Sequence, residues 1–392
     1  MNKIVNKRLT ELLVILFGLV LLLTSCGNTG DYEKLFESEL QQSFTAEQST
    51  DEADGQTKDA DMKPAGSFSI ICSEDFGNPY PSGNNQKNLP SGNFVVFQDQ
   101  ILFQCDTGTL GLQLFSLDPA SMQVNCFCRD AVCTHDRKEN PFCISASCLG
   151  NLAMIGENLY ALSTDHTLCK YENGQLKALA EGEISYFCHG EEGLFAVTQD
   201  SSLIRFGESG DLEILHDAYA EYWLSNYEGK MYGNTGDAYC VLDLKDDGGD
   251  PTEILRTSMG ITDGERIYYL EDRTTALCTA SMQGELLVKL TDRPVMPASV
   301  NFDADYVYFR YMNDGESDGG KAEHELYRVQ KDGSESPELL AHIPERILNV
   351  FTVPGCDTVF ITCFREAGRN DSGIYAVKKD GSDFCRLDIQ LF

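Results

Sequence analysis

The sequence has few basic residues. It contains 30 Lys and Arg against 62 Asp and Glu, which gives a formal net charge of −32 over 392 residues. A surface of this sign repels the phosphates of nucleic acids and the anionic headgroups of membranes, so we expect neither as a direct partner. The simplest role for such acidity is to keep an exposed surface protein soluble.

The sequence also lacks a spaced set of catalytic residues. Its six His residues are scattered, and none has a neighbour at the spacing of a catalytic triad or of paired metal ligands. Trp223 is the only tryptophan; it could form a platform for sugar stacking, but a core position in a strand is favoured. We therefore assign no catalytic residue.

Only one long apolar run occurs, and it lies near the N-terminus. Basic residues precede the run Leu12–Leu23, which is too short to cross a membrane as a helix. A basic start followed by a short apolar segment is typical of a secretory signal. The run ends in Leu23-Thr24-Ser25-Cys26, which closely resembles the lipobox of bacterial lipoproteins.

In that family the Cys receives a diacylglyceryl thioether and becomes the mature N-terminus. The resemblance implies that residues 1–25 are a lipoprotein signal peptide and that Cys26 is lipidated. Acyl chains contribute roughly 0.8 kcal/mol per buried methylene, which would anchor the protein on the outer face of the bacterial cell membrane. An ordinary signal peptide or uncleaved anchor that ends in Cys is the alternative.

Residues 26–66 are polar, acidic and poor in branched apolar side chains. Such a composition buries too little apolar surface to offset the entropy lost on ordering. We therefore predict a disordered tether between the lipid and the folded domain.

One pattern repeats within residues 67–392, most clearly from Phe94 onward. Its plainest copy, residues 260–290, has four short apolar runs with turns at Asp263-Gly264 and Gln283-Gly284. Runs of this kind bounded by Gly and Asp predict β-hairpins. Seven copies are marked by a large side chain in the second strand, spaced 35 to 57 residues apart: Phe103, Tyr160, Phe195, Tyr232, Tyr268, Tyr308 and Phe360.

A four-strand unit repeated in this way predicts an all-β fold, a β-propeller with seven four-stranded blades. Each blade needs neighbours to bury its faces, which favours a closed ring. Six or eight blades are the alternatives.

Two hairpins carry a resemblance to a known group of propellers. Residues 326–334 (LYRVQKDGS) and 374–382 (IYAVKKDGS) resemble the I-x-R-x-x-x-D-G-S hairpin of the low-density-lipoprotein-receptor (YWTD) type. They are more similar still to bacterial lipoproteins of unknown function that carry such propellers. The resemblance covers about Phe94 to Leu387 and implies the fold without indicating a ligand. The Tyr-Trp-Thr-Asp signature is absent here, and the receptor family has six blades.

The most informative insertion, residues 126–148, lies between the first two units and holds five Cys and one His. Thiolates and imidazole are the ligands of tetrahedral zinc, and ligands on one short loop converge at little entropic cost. We predict a structural zinc site formed by Cys128, Cys133, His135 and Cys143. Cys126 and Cys148 are the substitute ligands. The spacing departs from the usual knuckle, since only one residue separates Cys133 from His135.

Disulfides in the same loop are the alternative, because an exported chain meets oxidising conditions. Against them stand Cys169, Cys240 and Cys278, at matching positions in the third strands of three units. Matching positions in different blades lie far apart in a ring, so we expect buried free thiols that pack as small apolar side chains. Free thiols outside the cytoplasm indicate a compartment in which oxidation is weak.

The anchor and the propeller together favour a membrane-tethered binding or interaction module for a protein or a glycan. One alternative is a polysaccharide hydrolase or lyase that uses paired carboxylates near the central channel. Another is a scaffold for envelope assembly, with the ring as a rigid spacer. The Cys-His insertion and the loop from Arg310 to His324 are the places where a specific ligand is most expected.

Overall fold

The computed structural model describes residues 62–63, 68–73, 94–107, 110–128, 130, 132–137, 139–140, 143–155, 157–179, 184–190, 193–206, 212–217, 222–235, 237–244, 249–313, 321–364 and 373–389. The predicted signal peptide, Cys26 and most of the predicted tether lie outside these residues. Within them, no helix is long and apolar enough to cross a membrane.

The described residues form seven antiparallel sheets of four consecutive strands each, preceded by the short strand β1 (Met62–Lys63). Blade 1 consists of β2 (Val95–Phe97), β3 (Gln100–Asp106), β4 (Leu112–Leu117) and β5 (Val124–Cys126). Blade 2 consists of β6 (Cys148–Ile155), β7 (Asn158–Ser163), β8 (Leu168–Glu172) and β9 (Gln175–Ala178). Blade 3 consists of β10 (Ile184–Gly190), β11 (Gly193–Thr198), β12 (Leu203–Phe206) and β13 (Leu212–His216).

The remaining four blades follow the same order along the chain. Blade 4 consists of β14 (Tyr222–Tyr227), β15 (Lys230–Thr235), β16 (Ala238–Asp243) and β17 (Thr252–Arg256). Blade 5 consists of β18 (Gly260–Thr262), β19 (Arg266–Leu270), β20 (Ala276–Ser281) and β21 (Leu286–Pro294). Blade 6 consists of β22 (Asn301–Phe302), β23 (Tyr306–Phe309), β24 (Glu325–Gln330) and β25 (Glu338–His342), and blade 7 of β26 (Ile347–Thr352), β27 (Thr358–Cys363), β28 (Ile374–Lys378) and β29 (Phe384–Arg386).

The all-β, seven-bladed prediction is confirmed, and the alternatives of six or eight blades are wrong. As predicted, residues 260–290 form blade 5, and residues 271–275 connect its strands β19 and β20.

The burial of the strands explains their sequences. The middle strands are buried on both faces, as in β3, whereas the outer strands, such as β17, stay half exposed and polar.

The ring closes on an aromatic contact between blade 7 and blade 1. Phe94 is buried, and its ring centroid lies 5.1 Å from that of Phe103 in β3. On the other side it lies 4.9 Å from Phe351 in β26 and 4.9 Å from Phe360 in β27. Offset aromatic contacts at these distances stabilise a joint beyond simple area burial.

The N-terminal segment reinforces blade 7 from outside. Strand β1 lies within the predicted tether, residues 26–66, yet it pairs in parallel with β29 and covers an edge of the sheet. Phe68 and Ile70 are buried in the same apolar cluster as Phe94. A two-residue strand has no periodicity, so the sequence pattern did not reveal it.

A polar contact links blades 5 and 6. The carboxylate of Asp263, in the turn after β18, accepts hydrogen bonds from the Tyr268 hydroxyl at 2.6 Å and from Lys331 Nζ at 2.7 Å. Lys331 belongs to the hairpin between β24 and β25. The same arrangement recurs one blade later, where Asp303 accepts from Tyr308 at 2.8 Å and pairs with Lys379 at 2.8 Å. Each hairpin thus fastens its blade to the preceding one.

We predict that Lys331→Ala lowers the free energy of unfolding by about 2 to 4 kcal/mol, because it leaves the largely buried Asp263 carboxylate without its counter-ion. The side chains of this pair are 15% and 10% exposed. Arg205→Ala is the control, since its pair with Glu213 is 33% and 57% exposed and contributes below about 1 kcal/mol. Denaturant titration compares the two, and equal losses would contradict the role of the contact.

The contact also predicts a pH dependence. Burial opposes the charge on Asp263, but Lys331, Tyr268 and backbone N–H groups outweigh it and hold its pKa below the ordinary value. A lowered folded-state pKa stabilises the fold above the ordinary carboxyl pKa, and this stability is lost as pH falls through the folded-state value. The difference between wild type and Lys331→Ala should therefore shrink below about pH 4.

Candidate metal centre

The Cys-His insertion forms the connection between blades 1 and 2. It leaves the fourth strand of blade 1 at Cys126 and enters the first strand of blade 2 at Cys148. Before β6 the chain makes one short helix, α1 (Ile144–Ser147). We call residues 128–143 the knuckle. Any ligand held there acts on the joint between two neighbouring blades.

The structure brings the four predicted ligands together. The ligand atoms of Cys128, Cys133, His135 and Cys143 all lie within 4.8 Å of one another. His135 Nδ1 is 3.4 Å from Cys143 Sγ. Cys133, His135 and Cys143 are buried, and Cys128 is half-buried. These four residues could hold a metal ion.

The unusual spacing has a backbone explanation. His135 has φ +54°, in the left-handed region, so the backbone turns at this ligand. The N–H of His135 also donates to Cys133 Sγ at 3.4 Å, which holds the two ligands close together although Thr134 alone separates them. Asp130 starts the first turn, accepting from the N–H of Cys133 at 3.1 Å and, through Oδ1, from that of Val132 at 3.1 Å.

A second turn delivers the last ligand. The carbonyl of Asp136 accepts from the N–H groups of Glu139 and Asn140, and the carbonyl of Asn140 accepts from the N–H of Cys143 at 3.1 Å. Thr134 Oγ1 donates to Glu139 Oε2 at 2.8 Å across this turn. Short polar residues that favour turns therefore bring the ligand-bearing positions together.

The thiols of the knuckle differ in their proton affinity. Burial alone would raise the pKa of Cys133, but donors outweigh it and the pKa is lowered: the N–H of His135 at 3.4 Å, the Asn140 amide at 3.3 Å, and the neighbouring thiols. Burial raises the pKa of Cys143 to about 12 and also raises that of Cys128. Burial lowers the pKa of His135, which leaves a neutral imidazole able to coordinate.

The two substitute ligands stay outside the group of four. Cys126 is half-buried, and burial raises its pKa to about 11 despite a hydrogen bond from Ser145. Cys148 is fully buried at the start of β6, where its carbonyl accepts from Gln104 Nε2 at 2.9 Å. Asn140, whose role the sequence pattern did not indicate, donates to Cys133 Sγ instead.

The connection between the two blades is fastened to both of them, to blade 1 through α1 and to blade 2 through the knuckle. Ser145 in α1 donates to the carbonyl of Leu114 in β4 at 2.9 Å and to Gln113 Oε1 at 3.1 Å. On the other side, Arg137 pairs with Asp165 of blade 2 at 2.7 Å. A cleft of about 420 Å³ lies between blades 5 and 6. A second cleft of about 250 Å³ lies between α1 and blade 2, and Arg137 of the knuckle contributes to its lining.

The third-strand cysteines are buried as predicted. Cys169, Cys240 and Cys278 are 5%, 6% and 2% exposed. Cys169 faces Ala161 and Ala178 across the sheet, and Cys278 faces Tyr269 and Lys289. These thiols therefore pack as small apolar side chains within their blades.

Two buried carboxylates, those of Asp303 and Glu345, are held in ion pairs. Asp303 is paired with Lys379 and has a lowered pKa, against the opposing effect of its burial. Glu345 is fully buried, accepts from the Tyr375 hydroxyl at 3.2 Å and lies 3.5 Å from Arg386 Nε. A general acid at neutral pH requires a raised pKa, the opposite of what Asp303 shows.

No protein-family model matches the chain, and no curated protein matches it. Among solved structures, it is similar to BamB from Moraxella catarrhalis at 10% identity and a TM-score of 0.42, covering 74% of this chain and 83% of that one. It is similar to the Pan2 WD40 domain of Neurospora crassa at 10% identity and a TM-score of 0.42, covering 62% and 80%. It is also similar to the computationally designed Ika8 protein at 10% identity and a TM-score of 0.41, covering 76% and 82%. Similarity at this level identifies no ligand or partner for this chain.

Proposed function

We propose that the protein is a lipid-anchored, extracytoplasmic binding module whose propeller presents the knuckle and the adjoining cleft to a partner. The observation that carries this proposal is an apolar side chain exposed on the knuckle: Val132 is 87% exposed and directly precedes the ligand Cys133. A single exposed apolar side chain is ordinary on a protein surface. Its position on a loop organised by four converging ligands distinguishes it.

The cleft beside the knuckle supplies the second part of the surface. Ile144, Leu176 and Ala178 contribute apolar lining, while Ser163, Thr164 and the Arg137–Asp165 pair contribute polar groups. Apolar contacts surrounded by a polar rim are typical of protein interfaces. A protein partner therefore fits this surface better than a glycan, which needs an aromatic platform.

We infer that the knuckle holds a structural zinc ion. Three sulfur atoms and one imidazole nitrogen form a closed tetrahedral set, which is typical of structural zinc sites. Zinc–sulfur bonds of about 2.3 Å place the sulfur atoms about 3.8 Å apart, so the present separations require only a small contraction. N–H donors to Cys133 Sγ, from Asn140 and from His135, are the kind of outer contacts that such thiolates receive.

The lipid anchor is proposed from the sequence. A basic start, a short apolar run and the lipobox-like residues 23–26 support a lipid on Cys26. Thirty-five residues lie between Cys26 and β1, a length of chain that could reach at most roughly 120 Å when extended. The ring would then work near the membrane without resting on it.

We expect purified protein to contain about one equivalent of zinc that a chelator removes. Cys133→Ser should lose the metal, because it removes a ligand, whereas Cys126→Ser should keep it. Elemental analysis makes the comparison. Zinc well below one equivalent in the wild type, or equal loss in both variants, would show that these four residues do not form the site.

We expect Cys26→Ala to move the protein from the membrane fraction to the soluble fraction, because no acyl chain can then be attached. Cys278→Ala is the control, since that thiol is buried in blade 5 and has no part in anchoring. Fractionation of cells with immunodetection is the measurement. Unchanged membrane association of Cys26→Ala would defeat the proposed anchor.

We expect Val132→Asp to reduce capture of the partner from surface extracts roughly tenfold, because it places a charge in the contact. Leu286→Asp is the matched control, since Leu286 is 63% exposed on the outer strand of blade 5. Quantitative pull-downs use a Cys26-anchored unrelated protein as background. The proposal would be wrong if the wild type recovered no more partner than this background, or if both variants recovered equal amounts. If glycosidase treatment of the extract abolished capture, the ligand would be a glycan instead.

A further inference from the structure

Two cysteines face each other where the N-terminal segment crosses blade 7. Cys72 and Cys356 are partners in an antiparallel bridge, although 284 positions separate them in the chain. Cys356 lies in the turn between β26 and β27 and is 3% exposed, whereas Cys72 is exposed. One thiol is therefore accessible from solvent while the other lies beneath it.

The hydrogen bonds around this bridge define its geometry. The N–H of Ser73 donates to the carbonyl of Gly355 at 2.8 Å, and the N–H of Asp357 donates to the carbonyl of Ile71 at 3.1 Å. Bonds made by the flanking residues identify Cys72 and Cys356 as a non-hydrogen-bonded pair, whose Cα atoms are about 4.5 Å apart with the side chains close together. Disulfides need Cα separations of about 4.4 to 6.8 Å.

No other pair of strand partners in the described residues consists of two cysteines. Cys105 faces Gln113, Cys188 faces Phe195, and Cys363 faces Ile347. The cysteines of the knuckle converge on one point from a loop, whereas Cys72 and Cys356 oppose each other in a ladder.

We propose that Cys72 and Cys356 form a disulfide that fastens the N-terminal segment covalently to blade 7. The segment is already positioned for it, because the N–H of Ile71 donates to Asp357 Oδ1 at 3.0 Å and Asp357 pairs with Lys378. Strand β1 adds only two paired residues. Strand β1 lies between the N-terminus and residue 72, so a force applied through the N-terminus would load β1 first. A covalent link at residue 72 would then hold the chain after β1 had separated from β29, and would keep the force from reaching Phe94, where the ring closes.

The chemistry is a thiol–disulfide exchange with a small-molecule disulfide as the oxidant. The thiolate of the accessible Cys72 attacks one sulfur of the oxidant and expels a thiolate, forming a mixed disulfide. The thiolate of Cys356 then attacks Cys72 Sγ and expels the second thiolate. Two protein thiols lose two electrons and two protons, and the oxidant is reduced to two thiols.

Burial sets the conditions for this exchange. It raises the pKa of Cys72, with a further increase from Asp357, and it raises the pKa of Cys356 to about 12. Because the thiolate is the reacting form, the disulfide should form faster as pH rises from 7 to 9.

The test treats full-length protein with oxidised glutathione, alkylates the remaining thiols and maps a non-reduced tryptic digest. Cys72 is the only cysteine in the peptide of residues 59–87, and Cys356 lies in that of residues 347–365. We expect these two peptides to be cross-linked, with fragmentation placing the link on Cys356 and not on Cys363. Cys72→Ser should abolish the cross-link, and a reductant should reverse it.

A second readout is thermal unfolding. Oxidised wild type should melt several degrees above the reduced protein, because the link restricts the unfolded chain, whereas Cys72→Ser should melt at the same temperature under both conditions. Alkylation of both cysteines after oxidation, or a link from Cys72 to any other cysteine, would overturn the proposal. Neither outcome depends on the metal, the lipid or the partner.

Discussion

Contact between neighbouring blades is the constraint on which this structure depends. A single four-stranded sheet cannot bury both of its faces, so each blade is stable only against the next. Apolar side chains supply most of that contact, and the ring closes where Phe94 stacks between blade 7 and blade 1. The contacts of Asp263 with Lys331 and of Asp303 with Lys379 fix the relative position of blades 5, 6 and 7.

The joint between blades 1 and 2 is held differently. There the connecting chain is long and folds into the knuckle followed by α1. Ser145 in α1 attaches it to blade 1, and Arg137 in the knuckle attaches it to blade 2. A bound ion would add to this joint the free energy of four coordinate bonds that the unfolded chain cannot form. It would also fix the loop that carries Val132. A loop held rigid in this way lowers the entropic cost of binding a partner.

Much of the fold could be predicted because its turns are encoded locally. Asp263-Gly264 and Gln283-Gly284 mark blade 5 directly, since Gly264 and Gly284 adopt positive φ. The ligand set of the knuckle was predictable for a related reason: its members are close in sequence and chemically distinctive. Tyr268 and Tyr308 mark the second strands of blades 5 and 6 for a physical reason. Each hydroxyl contacts the Asp in the turn just before its strand.

Contacts between distant parts of the chain could not be predicted in this way. Lys331 lies 68 positions from Asp263, and nothing in either local sequence indicates the other. The same is true of Cys72 and Cys356, and of β1, whose pairing with β29 depends on how the ring closes. Asn140 looked like an ordinary turn residue, because its contact with Cys133 Sγ exists only once the knuckle has folded.

The proposed Cys3His metal site would organise the connection between blades 1 and 2. X-ray absorption at the zinc edge of the purified protein tests it most directly. We expect three sulfur neighbours at about 2.3 Å and one nitrogen at about 2.0 Å. A shell of oxygen and nitrogen without sulfur, or no zinc together with disulfides among Cys128, Cys133 and Cys143, would contradict it.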